Sequence, residues 1–126
     1  MEPYLELVIE HIERYTEACD RLIERLQAQR AWNVEDIGRL RSGAKLSDST
    51  RQTRSADRSR DLTRILSEFE QSRREIRTVV VAAAVEEGMT ITEIADIFGV
   101  SRQLANRFVK DARAQGHLPA PPTGAD

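Results

Sequence analysis

Apolar residues recur along the first thirty residues at alternating steps of three and four. These positions hold Leu5, Val8, Ile12, Tyr15, Cys19, Leu22 and Leu26. Such a repeat is the a/d seam of a helix that packs lengthwise on another helix. Pro3 suits the first turn, because its missing N–H would have no helical partner there. We therefore predict a helix from about Pro3 to about Arg30.

A second seam follows between Asp57 and Glu87. Its apolar positions are Leu62, Leu66, Phe69, Ile76, Val80 and Ala83. The run "TVVV" at residues 78–81 is typical of strands, but no partner strand is indicated elsewhere, so we keep it helical. The sequence predicts an all-α protein with a long, coiled-coil-like helical hairpin over residues 3–75.

The hairpin also offers a dimerisation device, since it carries more apolar residues than one seam needs. We expect it to bury this surplus against a second copy, giving a homodimer. The residues assigned to dimerisation are Leu5, Val8, Ile12, Tyr15, Leu22, Leu26, Leu62, Leu66 and Phe69. A hairpin that packs only on itself, leaving a monomer, stays open, because heptads alone do not fix the oligomeric state.

Between the two helices, the stretch "RSGAKLSDSTRQTRSAD" is rich in Ser, Thr and Arg and has few apolar residues. We predict a mobile loop at about 41–56. The preceding "NVEDIGRL" is predicted as a separate helical turn capped by Asn33, with Trp32 covering the first helix.

Charge is segregated along the chain. Residues 1–30 carry seven acidic and four basic side chains, a net charge of −3, whereas residues 39–64 carry eight basic and three acidic side chains, a net charge of +5. Two interpretations stay open: the basic segment binds a polyanion, or it pairs with the acidic helix. Likewise, the Arg-rich loop is either an arm on phosphates or a solvated linker.

The stretch "ITEIADIFGVSRQLANRF" at residues 91–108 has one glycine between two amphipathic segments. Thr90 is a candidate cap for the first segment, with Glu93 completing a capping box, and Ser101 is a candidate cap for the second. Gly99 then turns the chain between two helices. The inward positions are Ile91, Ile94, Ala95, Phe98, Leu104, Ala105, Phe108 and Ala112.

These positions resemble the helix-turn-helix superfamily of DNA-binding domains, with small Ala95, turn residue Gly99 and apolar Val100 in the expected order. The order "IADIFGVSRQ" looks like members of the resolvase, sigma-factor region 4 and small bacterial repressor groups. The resemblance implies a tri-helical DNA-binding domain at 76–115, whose first helix continues the hairpin, followed by a disordered tail at 116–126. Ala105 departs from the family pattern, which usually has a larger β-branched residue, so we expect looser packing there.

In that family the second helix of the motif enters the major groove. The resemblance implies that Arg102, Gln103, Asn106 and Arg107 face base edges, and that Thr92, Ser101, Lys110 and Arg113 contact phosphates. The alternative is that these residues form only the solvated side of an amphipathic helix.

Other chemistry is absent from the sequence. His11 and His117 are far apart and Cys19 is the only cysteine, so no metal set is indicated. No phosphate loop or nucleophile motif occurs, and we expect no enzyme activity, no cofactor and no small-molecule effector. The longest apolar run is too short to span a membrane, which takes about 20 residues. A single cysteine and the lack of a leader favour the cytoplasm, with the nucleoid as the site of action.

Two function classes remain open. In the first, the protein is a sequence-specific regulator or nucleoid-associated factor that binds double-stranded DNA as a dimer, of bacterial, phage or plasmid type. In the second, it is an adaptor that binds a polymerase or an assembly through the hairpin, with little DNA specificity.

Overall fold

The computed structural model describes residues 3–119 of the chain, and this part contains five α-helices and no strand. The helices are α1 (Pro3–Arg41), α2 (Leu46–Gln52), α3 (Ser55–Glu86), α4 (Ile91–Phe98) and α5 (Arg102–Ala114). The predicted all-α class, with long helices followed by a helix-turn-helix, is confirmed.

Helix α1 ends at Arg41, eleven residues beyond the predicted end at Arg30. The prediction of a separate turn capped by Asn33 is wrong, because the Asn33 side chain instead accepts a hydrogen bond from Gln29 Nε2 at 2.8 Å within one continuous helix. The helix stops at Gly43, which has a φ of 97°, and Ala44 N–H donates to Arg39 O at 3.1 Å. A left-handed glycine of this kind is a common helix terminator.

The region predicted as a loop, about 41–56, contains helix α2. Its sequence "LSDSTRQ" has a single large apolar residue, Leu46, and that side chain is 66% exposed. No hydrophobic period could therefore reveal the helix. Ser49 and Thr53 are buried in its place, so this short element buries polar rather than aliphatic side chains.

Helix α3 runs from Ser55 to Glu86, close to the predicted span of 57–87, and the "TVVV" run is helical. Val79, Val81 and Ala82 are completely buried, which explains why β-branched residues are tolerated there. The helix ends in a Schellman motif, because Gly88 N–H donates to Val85 O and Met89 N–H donates to Ala84 O, both at 3.0 Å. The φ of +90° at Gly88 is one that a residue with a Cβ rarely adopts.

Contacts divide the chain into two units, one of residues 1–15 with 72–126 and one of residues 16–71. The first turns of α1 therefore group with the helix-turn-helix, although the sequence placed all of residues 3–75 in the hairpin. Within that unit, Tyr4 Oη donates to His117 O at 2.8 Å.

The segment after α5 is partly described. Gly116 has a φ of +81°, and Leu118 is 6% exposed in the same core as Val109 and Ala112. The first residues of the predicted disordered tail are thus packed in the structure. Residues 120–126 of that predicted tail lie outside the described residues.

A charged side chain lies at the centre of the unit formed by residues 16–71. Arg25 is 5% exposed, and its Nε donates to Asp61 Oδ2 at 2.7 Å while Nη2 donates to Arg58 O at 2.9 Å. Trp32 covers this group, with the guanidinium carbons of Arg25 and Arg58 at 4.6 and 4.0 Å from its ring centroid. These contacts tie α1 to α3, since a buried guanidinium needs both a counter-charge and satisfied donors.

The residues assigned to dimerisation fall into two groups by exposure. Val8, Tyr15, Leu22, Leu62 and Phe69 are half-buried within the chain. Leu5, Ile12, Leu26 and Leu66 are exposed by 46%, 46%, 47% and 42%. The predicted seam of α1 therefore combines residues from two adjoining faces of the helix, and its role in dimerisation stays a prediction.

Asp61 makes the stability of the unit of residues 16–71 depend on pH. Hydrogen bonds from Arg25 and then from Arg64 lower the pKa of Asp61 below its ordinary value of 3.8. The stabilisation from the ionised carboxylate is complete well above pH 4 and disappears as the pH falls through the lowered folded-state pKa. We expect Asp61→Asn to unfold at lower urea concentration than the wild type at pH 6, with a difference that shrinks toward pH 3. Urea titrations followed by Trp32 fluorescence measure this, and a difference that stays constant over that pH range would contradict it.

Candidate nucleic-acid interface

The carboxyl-terminal unit has a core of small aliphatic side chains around one aromatic ring. Its buried members are Val81, Ala82, Ala84, Ile94, Ala95, Ala105, Phe108, Val109, Ala112 and Leu118. They come from the end of α3, from α4, from α5 and from the segment after α5. Because three alanines of α4 and α5 lie in this core, the helix backbones can approach each other closely.

Helix α4 is fixed at its start by a side-chain cap. Thr90 Oγ1 accepts a hydrogen bond from Glu93 N–H at 3.2 Å, as predicted. The Glu93 carboxylate accepts from Thr90 Oγ1 at 3.2 Å, so the two side chains also pair with each other. An eight-residue helix is unstable alone, and Ile94 and Ala95, exposed by 0% and 4%, supply the burial that holds it.

Gly99 ends α4 in the left-handed conformation, with φ 63° and ψ 37°. Gly99 N–H donates to Asp96 O at 3.2 Å and Val100 N–H donates to Ala95 O at 3.0 Å. This is the Schellman pattern, which reverses the chain within one residue. The predicted turn at Gly99 is confirmed.

Helix α5 begins where Ser101 Oγ accepts a hydrogen bond from Leu104 N–H at 3.1 Å, which confirms the predicted cap. Phe108 packs edge to face on Phe98, with ring centroids 5.9 Å apart and ring planes at 75°. Ala105 is completely buried, and the looser packing expected there stays a prediction. Val109, which the sequence analysis did not assign to the core, is 4% exposed, whereas Leu104 is only half-buried.

The opposite side of α5 is polar and faces solvent. The exposed residues there are Arg102, Gln103, Asn106, Arg107 and Lys110. Thr92 and Ser101, predicted as phosphate contacts, are exposed as well. The cap, the turn and the buried side of α5 thus present the five exposed α5 side chains on one helical face, with Ser101 just before this helix and Thr92 on α4.

Arg113 differs from the other predicted contacts. Its side chain is half-buried, and within the described residues its Nε is a buried donor without a hydrogen-bond acceptor. A buried unsatisfied donor is costly, so an acceptor from outside the chain would stabilise it.

The face of α5 is mainly cationic, with Asp111 as the acidic residue of this helix. Glu93 and Asp96 of α4 are also exposed. Negative side chains this close to the basic face reduce its attraction for a polyanion, which limits sequence-independent affinity.

One aromatic contact was missed by the sequence analysis. The guanidinium carbon of Arg77 lies 4.4 Å from the centroid of the Phe108 ring. A cation over an aromatic face adds to the burial that fixes α5 against α3. No local pattern marks Arg77, because the stacking depends on a ring 31 positions further along the chain.

The described residues contain neither a cluster of metal ligands nor a membrane-spanning helix. Among residues 3–119, no three His, Cys, Asp or Glu side chains lie close enough together to hold a metal ion. Over the same range, no helix has the length and apolar character that crossing a membrane requires.

Residues 64–122 match the family model of the homeodomain-like domain, which is a helix-turn-helix DNA-binding fold. The match begins within α3 and covers α4 and α5, so it extends further toward the amino terminus than the resemblance at 76–115. Comparisons with curated proteins and with solved structures give no match. The carboxyl-terminal part of this chain therefore has a helix-turn-helix fold, and the three narrower groups named from the sequence stay a prediction.

Gly99 offers a test of the turn with a matched control in the same chain. Gly99→Ala should lower the free energy of unfolding by about 1 to 2 kcal/mol, because a Cβ opposes the left-handed conformation. Apart from Gly99 itself and its two chain neighbours, no residue has an atom within 4 Å of the Cβ position, so the cost is conformational and not a clash. Gly38→Ala, in the interior of α1 with equally open space, should instead raise stability by about 1 kcal/mol.

Chemical denaturation followed by circular dichroism measures both variants. Equal shifts of the same sign would show that residue 99 does not depend on a left-handed backbone.

Proposed function

We propose that this protein is a sequence-specific DNA-binding protein that acts as a transcription regulator or nucleoid-associated factor of bacterial, phage or plasmid type. The observation that carries the proposal is the exposed outer face of α5, which follows a capped and glycine-terminated α4. The match to the homeodomain-like domain supports DNA as the ligand of this face. The proposal requires no catalytic group, cofactor or small-molecule effector, and its site of action is the nucleoid of the cytoplasm.

Sequence would be read by the first turns of α5 in the major groove. Arg102 and Arg107 are suited to guanine, because a guanidinium donates two hydrogen bonds to O6 and N7. Gln103 and Asn106 are suited to adenine, since a carboxamide both donates to N7 and accepts from the N6 amino group. All four side chains are exposed, so binding requires no rearrangement of the core.

Phosphate contacts would fix the orientation of α5 without reading sequence. Ser101 and Thr92 lie near the starts of α5 and α4, where backbone N–H groups favour an anion. Lys110 and Arg113 lie two to three turns further along α5.

A single helix-turn-helix makes few base contacts, and proteins with this motif usually bind two half-sites as a dimer. The half-sites lie one turn of DNA apart, about 34 Å, or a multiple of it. We therefore propose a homodimer formed through the long helices, with two copies of α5 reading an inverted repeat.

The second candidate is a protein adaptor with little DNA specificity. It is favoured by the exposed apolar side chains of α1, since contiguous apolar surface commonly marks a protein contact. The two candidates differ in their response to salt: DNA binding weakens steeply as salt rises because bound counterions are released, whereas apolar contacts do not.

Arg107→Ala should weaken binding to a preferred duplex by about 1 to 3 kcal/mol, roughly a 5- to 150-fold rise in Kd, if Arg107 reads a guanine. Arg14→Ala removes an equal charge from an exposed position of α1 and should leave the Kd nearly unchanged. Fluorescence anisotropy with labelled duplexes over a range of salt concentrations measures both variants. Absence of any binding by the wild type to random or genomic duplex at low salt would exclude the DNA hypothesis and leave the adaptor.

A further inference from the structure

Helix α1 carries two apolar faces that are offset by one residue. The inner face contacts the rest of the chain and includes half-buried Val8, Tyr15 and Leu22 with buried Ala18 and Arg25. The outer face has the same spacing of three and four and is exposed except at half-buried Cys19. Its positions hold Leu5, Ile9, Ile12, Thr16, Cys19, Ile23, Leu26, Arg30, Asn33, Ile37 and Leu40.

The seven large aliphatic side chains of this outer face are each between 38% exposed, at Ile9, and 54% exposed, at Ile23. They follow one unbroken heptad register along α1, with the polar positions Thr16, Arg30 and Asn33 between them. A straight stripe of this period is a seam for one further helix and not a general surface patch. Isolated exposed apolar residues would need no explanation, but three apolar patches in one heptad register along a single helix do.

We infer that the outer face of α1 binds the outer face of a second copy of this chain as an antiparallel coiled coil. In this pair, a seam residue of one copy lies opposite a seam residue of the second copy when their two residue numbers add up to 49. The inference deepens the proposed homodimer by giving it a surface, a direction and a register, and it rests on the proposed function only for the use of two DNA-reading heads.

The register follows from matching side chains across the pair. At a sum of 49, apolar layers are Ile9 with Leu40, Ile12 with Ile37 and Ile23 with Leu26, while Thr16 meets Asn33 and Cys19 meets Arg30. A shift of one heptad places polar Arg30 against Ile12 in one direction and against Leu26 in the other. Among these three registers, only the sum of 49 pairs six of the seven aliphatic residues with each other and keeps Arg30 away from them, because burying Arg30 against an aliphatic residue is costly. The seventh, Leu5, would face Ala44, beyond the end of α1.

The distribution of charge along α1 favours an antiparallel pair over a parallel one. Residues 3–24 of α1 carry six acidic and two basic side chains, a net charge of −4, and residues 25–41 carry four basic and two acidic side chains, a net charge of +2. A parallel pair aligns the acidic halves with each other and places Arg30 opposite Arg30. An antiparallel pair aligns each acidic half with the basic half of the other copy, which lowers the electrostatic energy.

Charged residues at the edge of the seam also favour the antiparallel direction. Arg30 lies in the layer next to Asp20 of the second copy, so its charge meets a carboxylate at the edge of the seam. Glu6 comes beside Arg41 of the second copy in the same way. Such edge pairs set partner choice and orientation more than they add stability.

The oligomeric state in solution tests whether the outer face of α1 is the dimer contact. Light scattering on the wild type at micromolar concentration should return twice the chain mass of 14.3 kDa. Ile23→Asp, in the central layer, should return the single mass and keep its helical circular dichroism spectrum. Leu46→Asp is the matched control, because it changes a more exposed leucine outside α1 and should stay dimeric. A monomeric wild type, or a dimeric Ile23→Asp, would overturn the inference.

Disulfide cross-linking at Cys19 tests whether the two α1 helices run antiparallel. In the antiparallel pair the two Cys19 residues lie 11 residues apart, roughly 16 Å, so mild oxidation should not cross-link the wild type. Arg30→Cys should form a cross-linked dimer through bonds between residues 19 and 30, as peptide mass mapping would show. Arg14→Cys, on a side of α1 away from the outer face, should not. Bonds that join residue 19 to residue 19 would establish a parallel pair and overturn the inferred direction.

Both experiments are done without DNA, so they can refute the dimer surface without refuting the proposed function. Conversely, Ile23→Asp should still bind a single half-site with the affinity of one head. A stable antiparallel dimer that binds no duplex would support the surface and refute the DNA-binding proposal.

Discussion

Burial of aliphatic side chains between helices is the constraint on which this structure depends. The described residues form no strand, so an apolar stripe on these helices can be covered only by another helix. In the carboxyl-terminal unit this is achieved with small residues, since Ala95, Ala105 and Ala112 let α4 and α5 approach while Phe108 fills the centre. Because α4 has only two turns, this packing and its two end motifs are what hold it at a fixed angle to α5.

Local signals in the sequence predicted much of the candidate site. Thr90, Gly99 and Ser101 act through hydrogen bonds to residues at most four positions away, so their roles could be seen without knowing the fold. The inward positions of α4 and α5 were found for the same reason, with Val109 as the omission. The outer face of α5 followed directly as the opposite side of the helix.

Features that depend on distant contacts could not be predicted. The end of α1 was placed eleven residues too early, because Asn33 looks like a cap until Gln29 and the cluster of Arg25, Asp61 and Trp32 are known. Helix α2 has almost no apolar pattern. The seam of α1 combined two faces, since stripes offset by one residue share the spacing of three and four and differ only in what covers them.

These findings connect the two parts of the chain. The helix-turn-helix fold presents arginine and carboxamide groups on one face, and the proposed pairing of the outer faces of α1 would join two such heads. The homeodomain-like match supports the first part, and the self-complementary register supports the second. Together these two proposals describe a protein that would read two related half-sites.

Selection of bound sequences from a random duplex library tests this account most directly. The account predicts that the wild type enriches one inverted repeat, and that the Arg107→Ala variant loses preference at one position in each half-site. A library that shows no shared sequence after selection would contradict it, because α5 would then not read base edges.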